Sequence, residues 1–273
     1  TDCSNNGTIY YTGQQSFGLL FVGGIISTGG TVISSCNKAN VIVSVGSNNT
    51  SGDGIIVGGI AAGYVPKISQ CYNTGDINVD AAGTCSLAVS GISNTHVDSA
   101  IIDQCCNMGN LVVKRVNSVG KAFVSAAGIA SFNKGTISNC YNVGTVSVSA
   151  SSNSGNAMAS AAGIGNNYTG SLAQCYNIGS LFANAAVNSD QYLATEQVAA
   201  LSTSSMRIDQ EDFKNCYYLD TTEFGVINQP TLGNKVTLEQ MKLQKTFSGF
   251  DFDTVWTMAC LLYTSDAADD LIG

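Results

Sequence analysis

Ten cysteines and a single histidine are the residues with the most chemistry to offer in this chain of 273. A thiol can bridge, bind a metal or attack an electrophile, and a nucleophilic Cys or Ser needs a base beside it in space. His96 is the sole imidazole and lies in an irregular stretch without an H-E-x-x-H sequence, so it reads as a loop residue and zinc-peptidase chemistry is excluded. No C-x-x-C occurs, and the adjacent Cys105 and Cys106 make a poor chelate. No nucleophile elbow, phosphate loop or dinucleotide fingerprint falls in its proper context. The expectation is therefore no enzyme, no cofactor and no metal.

The cysteine spacing points elsewhere. Cys3, Cys36, Cys71, Cys105, Cys140, Cys175 and Cys216 are separated by 33, 35, 34, 35, 35 and 41 residues, with Cys85, Cys106 and Cys260 outside the series. An apolar residue stands three before the cysteine at Ile33, Ile68, Ile102, Ile137 and Leu172. A Gly-Ile pair precedes it at Gly24, Gly59, Gly91, Gly128 and Gly163. Asn follows two after at Asn5, Asn73, Asn107, Asn142 and Asn177, and Gly four after at Gly7, Gly75, Gly109, Gly144 and Gly179. Six after comes Ile9, Ile42, Ile77, Leu111, Val146 or Leu181. The Cys36 copy departs with Lys38 and Asn40, and the terminal Cys216 copy with Tyr218 and Asp220. Self-similarity at such a period is the mark of a repeat architecture.

Carboxylates were the other chemistry to consider. A glycan-cleaving solenoid needs two or three on neighbouring coils. Asp76 is followed at equivalent positions by Asn110, Thr145 and Ser180, and Asp103 stands among Ser69, Ser138 and Ala173, so neither column is acidic. Asp209, Glu211 and Asp212, and further on Asp251 and Asp253, read as solvated loop charge with no strong calcium spacing. Tyrosines follow several of the cysteines, at Tyr72, Tyr141, Tyr176 and Tyr217. Tyr141 and Tyr176 could form an exposed aromatic stripe for stacking on sugars, or pack in the ordinary way beneath a loop.

The elements behind these positions read as strands. Charged residues are only 11%, Gly is abundant at 30 and Pro scarce at 2, which suits short strands with small turn residues. Each unit divides into three extended segments, in one copy 126–131, 136–141 and 145–149. Val146 and Val148 alternate with Ser147 and Ser149 in the last of them. Ile137 and Cys140 are three apart, so if both face inward the chain must bend between them. Residues 47–53 and 151–159 read as one variable loop per unit. A lone unit cannot bury its apolar face, but stacked units pair each segment with its counterpart. The fold class is all-β: a right-handed parallel β-helix, or β-solenoid, of about 35-residue repeats in six or seven coils. The cysteines then form an inward ladder of buried thiols, preferred over a disulfide staple between coils, and the Asn amides stack from coil to coil.

Net charge is −8 with no basic run, which disfavours nucleic acid and anionic membrane surfaces. No run of about 18 apolar residues offers a spanning helix. The chain begins at Thr1 rather than Met, so the natural N-terminus is expected upstream. Repeats occupy 1–220, with an enlarged loop at about 189–212 carrying a short helix over about 191–201. A cap or linker of 221–259 follows. Thr237 caps a short helix with Glu239 and Gln240 in its first turn, and Phe250, Phe252 and Trp256 supply a small helical and aromatic cap for the open end.

The stretches GGIAAGYVPKISQCYNTGDI, AAGIASFNKGTISNCYNVGTV and AAGIGNNYTGSLAQCYNIGSL resemble the GLUG-motif repeat of bacterial cell-surface proteins, which also accompanies IgA-cleaving metallopeptidases. The resemblance covers residues 23–181 well and 1–9 and 213–220 in part, and 237–256 resembles the segment that follows such repeats. It implies an extracellular or cell-surface bacterial protein. Its role would be a non-catalytic module acting in adhesion or as a structural spacer, with a glycan-binding or glycan-active β-helix as the alternative. The partner would be an unidentified surface protein or glycan, and the unit a monomeric module of a larger chain. Residues 260–270 resemble a translated sequencing adapter, which sets 260–273 aside from the fold.

Overall fold

A computed structural model describes residues 1–14, 18–46, 54–83, 86–95, 97–132, 134–166, 170–203, 213–220 and 232–258. The described chain is a parallel β-solenoid. Every strand pair is parallel, and each strand bonds its counterpart about one repeat away, except that Tyr217–Leu219 also bonds Asn234–Val236 after a shorter connection. The sequence suggests three segments per coil, but five strands form because two bends subdivide the first two segments. In one coil they are Ala122–Ala127 (the facing wall), Ala130–Ser131 (the corner strand), Thr136–Ser138 (the short wall), Tyr141–Asn142 (the amide wall) and Val146–Ser152 (the alternating wall).

The alternating, facing and short walls are each six strands deep, and the amide wall eight. Alternation in Val146–Ser152 is that of a half-buried strand: Val146, Val148, Ala150 and Ser152 are buried and the residues between them half-buried. These valines meet Ala122, Val124 and Ala126 of the facing wall in a first core. The corner strand and short wall close a second core of Ile129, Ile137 and Cys140 with their counterparts. One column of the first core holds a cation. Arg115 lies level with Ala81 and Ala150, is fully buried, and donates through Nε and Nη2 to Gly83 O and through Nη1 to Phe123 O.

The bend between Ile137 and Cys140 is a left-handed residue. Asn139 has φ 51°, and Gln70, Gln104, Gln174 and Asn215 take the same conformation one before each ladder cysteine. This turn rotates the chain so that Ile137 and Cys140 both face inward at 0% exposure. Left-handed backbone is costly for residues with a Cβ and least so for Asn and Asp.

The two cores meet at a waist. Asn142 of the amide wall is buried there against Gly128, at the turn between facing wall and corner strand. A Cβ on Gly128 would stand 2.3 Å from Asn142 Cγ and 2.2 Å from Gly163 O. Gly91 against Asn107, and Gly163 against Asn177, repeat the arrangement. Each Asn Nδ2 donates to the next coil's Asn Oδ1, from Asn5 to Asn37 (2.8 Å), Asn73 (2.7 Å), Asn107 (2.8 Å), Asn142 (2.8 Å) and Asn177 (2.8 Å). The second Nδ2 hydrogen goes to a carbonyl two residues on, such as Gly109 O and Gly144 O.

Two local expectations are corrected. The stretch 191–201 contains the strand Ala194–Ala199, not a helix, because pairing with Ala157–Ala162 extends the facing wall by one more rung. The proposed loop 151–159 shrinks to the few residues between Ser152 and Ala157, since both walls run further than their sequence pattern suggests. The other proposed loop, 47–53, lies outside the described residues. The C-terminal helix Leu238–Met241 carries its capping box: Thr237 Oγ1 accepts from Gln240 N–H at 3.2 Å, and Gln240 Oε1 accepts from Thr237 N–H at 2.8 Å.

Asn107→Leu strands the Nδ2 donor of Asn73 and the Oδ1 acceptor of Asn142, and is expected to cost about 3 kcal/mol in urea unfolding. Gly128→Ala should cost at least as much, by overpacking. Asn110→Ala, at an exposed turn where Asn110 Oδ1 accepts from Thr145 N–H, should cost only about 0.5 kcal/mol. Equal losses at Asn107 and Asn110 would show that the waist holds nothing special.

Candidate functional site

The cysteine ladder is an interior column. Cys71, Cys105, Cys140, Cys175 and Cys216 are buried in the second core, and Cys3 at the first coil is exposed. Each buried thiol from Cys71 to Cys175 donates to the carbonyl two residues before it: Ser69 O at 3.1 Å, Asp103 O at 3.2 Å, Ser138 O at 3.0 Å and Ala173 O at 3.2 Å. All eight described cysteines are free thiols.

Cys36 leaves the ladder. It pairs with Tyr72, and Asn37 with Asn73, so Ser35 takes the thiol's place. Ser35 is buried and its hydroxyl donates to Ile33 O at 2.9 Å, the same bond two residues back. The whole Cys36 copy therefore shifts by one. Val32, not Ile33, lies level with Ile68; Val41, not Ile42, with Ile77; and Ala39, not Asn40, meets Gly75. A one-residue slip exchanges the two faces of a strand, and the buried Val32 and Val41 mark the true register.

Cys36 and Cys106 instead belong to the column of tyrosines, in the order Ser4, Cys36, Tyr72, Cys106, Tyr141, Tyr176, Tyr217. Burial pushes the Cys106 thiol up to about 12 and holds Cys140 well above its ordinary range, so neither forms a nucleophilic thiolate near neutral pH.

Tyr141 and Tyr176 stack in parallel, with ring centroids 4.9 Å apart and 3° between planes. The C-terminal segment packs over them. Trp256 lies 6.1 and 5.7 Å from the two rings, and its Nε1–H donates to Asn139 Oδ1 at 3.2 Å. Phe247 and Phe250 meet Tyr217, whose hydroxyl accepts from Ser248 N–H at 2.9 Å. The cap aromatics thus lie along the outer side of the amide wall and hold Tyr141 and Tyr176 half-buried.

Three of the carboxylates, Asp103, Asp76 and Asp251, serve turns. Asp103 Oδ1 accepts from Ser138 Oγ and from Asn139 Nδ2, bracing the left-handed bend. Asp76 Oδ1 accepts from Asn110 N–H. Asp251 lies below the ordinary carboxylate range because the Thr254 hydroxyl, then the N–H groups of Asp253 and Thr254, donate to it. His96, Asp209, Glu211 and Asp212 lie outside the described residues. Among the described residues no three His, Cys, Asp or Glu side chains gather as a metal site.

Sequence inspection missed a groove on the outer face of the facing wall. Its volume is about 310 Å³, and Phe123, Ser125, Met158, Ser160, Asn166 and Thr203 are among its lining. Phe123 lies level with Met158, and Ser125 with Ser160. Ser160 Oγ donates to Asn166 Oδ1 at 3.0 Å, and Asn166 Nδ2 donates to Ala126 O and Ser160 O. The signal available in sequence was the serine three before the repeat glycine at Gly128 and Gly163. It went unread because the strand containing it begins earlier than its pattern suggests.

No protein-family model matches this chain, and no curated protein or solved structure matches it either.

Alkylation of the native protein by iodoacetamide should modify Cys3 rapidly. Cys71, Cys105, Cys140, Cys175 and Cys216 should react only after unfolding, as peptide mapping by mass spectrometry will show. Native labelling of any ladder cysteine at the rate of Cys3 would contradict an inward column.

Proposed function

We propose that this chain is a non-catalytic repeat module of an extracellular bacterial surface protein, acting as a structural spacer. The observation that carries the reading is the unbroken amide column from Asn5 to Asn177, running from coil to coil alongside hydrogen-bonded walls at least six strands deep. Such a stack resists bending, because tilting one coil against the next lengthens backbone and side-chain bonds in every wall together. The carboxylates described above brace turns rather than converge on a reacting centre. The likeness of three repeat stretches to GLUG-motif repeats supports the surface location. An adhesive role is compatible with a stiff stalk and would need a binding surface besides.

A spacer is lengthened by repetition. Duplicating one coil, residues 143–177, should lengthen the particle by about 4.8 Å along its axis and leave its cross-section unchanged in solution X-ray scattering. A swollen cross-section, or no gain in length, would overturn the spacer reading. Turnover of a polysaccharide by the purified chain would overturn its non-catalytic part.

A further inference from the structure

From the groove on the facing wall we infer a binding site for one or two units of a neutral, pyranose-type glycan. The inference goes beyond the spacer reading and does not depend on it.

The floor of the groove is polar and incompletely satisfied. In one coil, Ser160 and Asn166 complete each other through the hydrogen bonds given above. One coil earlier the equivalent residues are Ser125 and Ser131. Ser131 is too short to reach across as Asn166 does. Ser125 is only 6% exposed, lines the groove, and its hydroxyl has no hydrogen-bond partner among the described residues. Ser131 Oγ is buried without a partner behind it. A hydroxyl that lines a cavity and is not tied up within the protein is available to a ligand's polar group.

The ligand class follows from what the lining can and cannot satisfy. Phe123 and Met158, stacked on adjacent rungs, offer an apolar strip beside the hydroxyls and amide of Ser125, Ser160 and Asn166. A purely apolar ligand would cover the strip and seal Ser125 off unpaired. The lining itself carries no Asp, Glu, Lys or Arg, with Lys121 only at its edge over Phe123, and the chain's net −8 repels anions. An extended peptide pairs with sheet edges, whereas this groove lies on a sheet face. A pyranose ring has one face of C–H groups to lay on an aromatic ring, whose face carries negative charge density, and a rim of hydroxyls that donate and accept. The volume stands at the low end of small-molecule sites, about 300–1,000 Å³, which limits occupancy to one or two sugar units. Lys121 Nζ stands 5.8 Å from the centre of the Phe123 ring on a long exposed side chain that can swing aside.

The test is titration of the whole chain with neutral β-linked gluco-, galacto- and manno-oligosaccharides, and with uronic-acid oligomers as the charged control, followed by saturation-transfer NMR and calorimetry. Saturable binding of at least one neutral series is expected. Phe123→Ala, on an outward-facing exposed side chain, should weaken it about tenfold. Ser125→Ala should weaken it about fivefold while the melting temperature without sugar stays the same or rises, because the lost hydroxyl had no partner. Scattering and circular dichroism confirm that each variant is folded. Binding to none of the neutral series, binding only to uronic acids, binding indifferent to both substitutions, or a melting temperature lowered by Ser125→Ala in the absence of sugar would each overturn the inference. A negative panel beside the expected coil-length scattering result would overturn the glycan site alone.

Discussion

A primary amide has two donor hydrogens and an acceptor oxygen, and leaving them unpaired in a protein interior is expensive. At the waist of this solenoid five such amides, from Asn37 to Asn177, are fully buried. Their solution is collective: one hydrogen goes to a carbonyl of the same coil, the oxygen receives a hydrogen from the coil before, and from Asn37 to Asn142 the other hydrogen goes to the next coil's amide. The column has no room for side chains opposite it, which is why the turn against it is Gly at positions 59, 91, 128 and 163. Once that contact is set, the walls on either side have their register. Val146 and Val148 fall into one core, Ile137 and Cys140 into the other. Polar satisfaction at the centre and apolar burial on both sides therefore agree on a single arrangement.

The thiol ladder is a lesser part of this design than its visibility in the sequence suggests. Ser35 replaces a cysteine without disturbing the column, because a hydroxyl makes the same short bond to the carbonyl two residues back. The position needs a small side chain with one weak donor, not sulfur as such. Asn has no such substitute at the waist in coils two to six, where amide geometry supplies two donors at once.

Periodicity carried most of the fold. The glycine, asparagine and apolar positions predicted stacked parallel coils, and the amide column is where those positions meet. Three things escaped for physical reasons. The spacing of Ile137 and Cys140 calls for a bend but not for its form: the left-handed turn at Asn139 depends on backbone conformation, and Gln and Ser adopt it at equivalent positions as well as Asn, so no one residue type signals it. The Cys36 copy was aligned on its cysteine, a residue that fits two adjacent columns, when the alternation of Val41, Val43 and Val45 held the better register. The strand Ala194–Ala199 has weak strand composition and forms because a preceding rung offers a template. Of the candidate sites, the tyrosine column was legible but not the tail laid over it, since contact between Trp256 and Asn139 spans 117 residues. The groove arises from outward positions of the facing wall, whose sequence varies from coil to coil, while the inward positions stay apolar from Leu20 to Ala159.

The spacings along the amide column are 32, 36, 34, 35 and 35 residues. Yet every step makes the same bond at nearly the same length. Differences of a few residues are therefore taken up in the connections around the rim, and none reaches the centre. The rim can lengthen, shorten and change composition in small steps, as loops do. The centre changes only by whole coils. Change in such a chain can therefore come at two scales: residue by residue at the periphery, and one coil at a time along the axis.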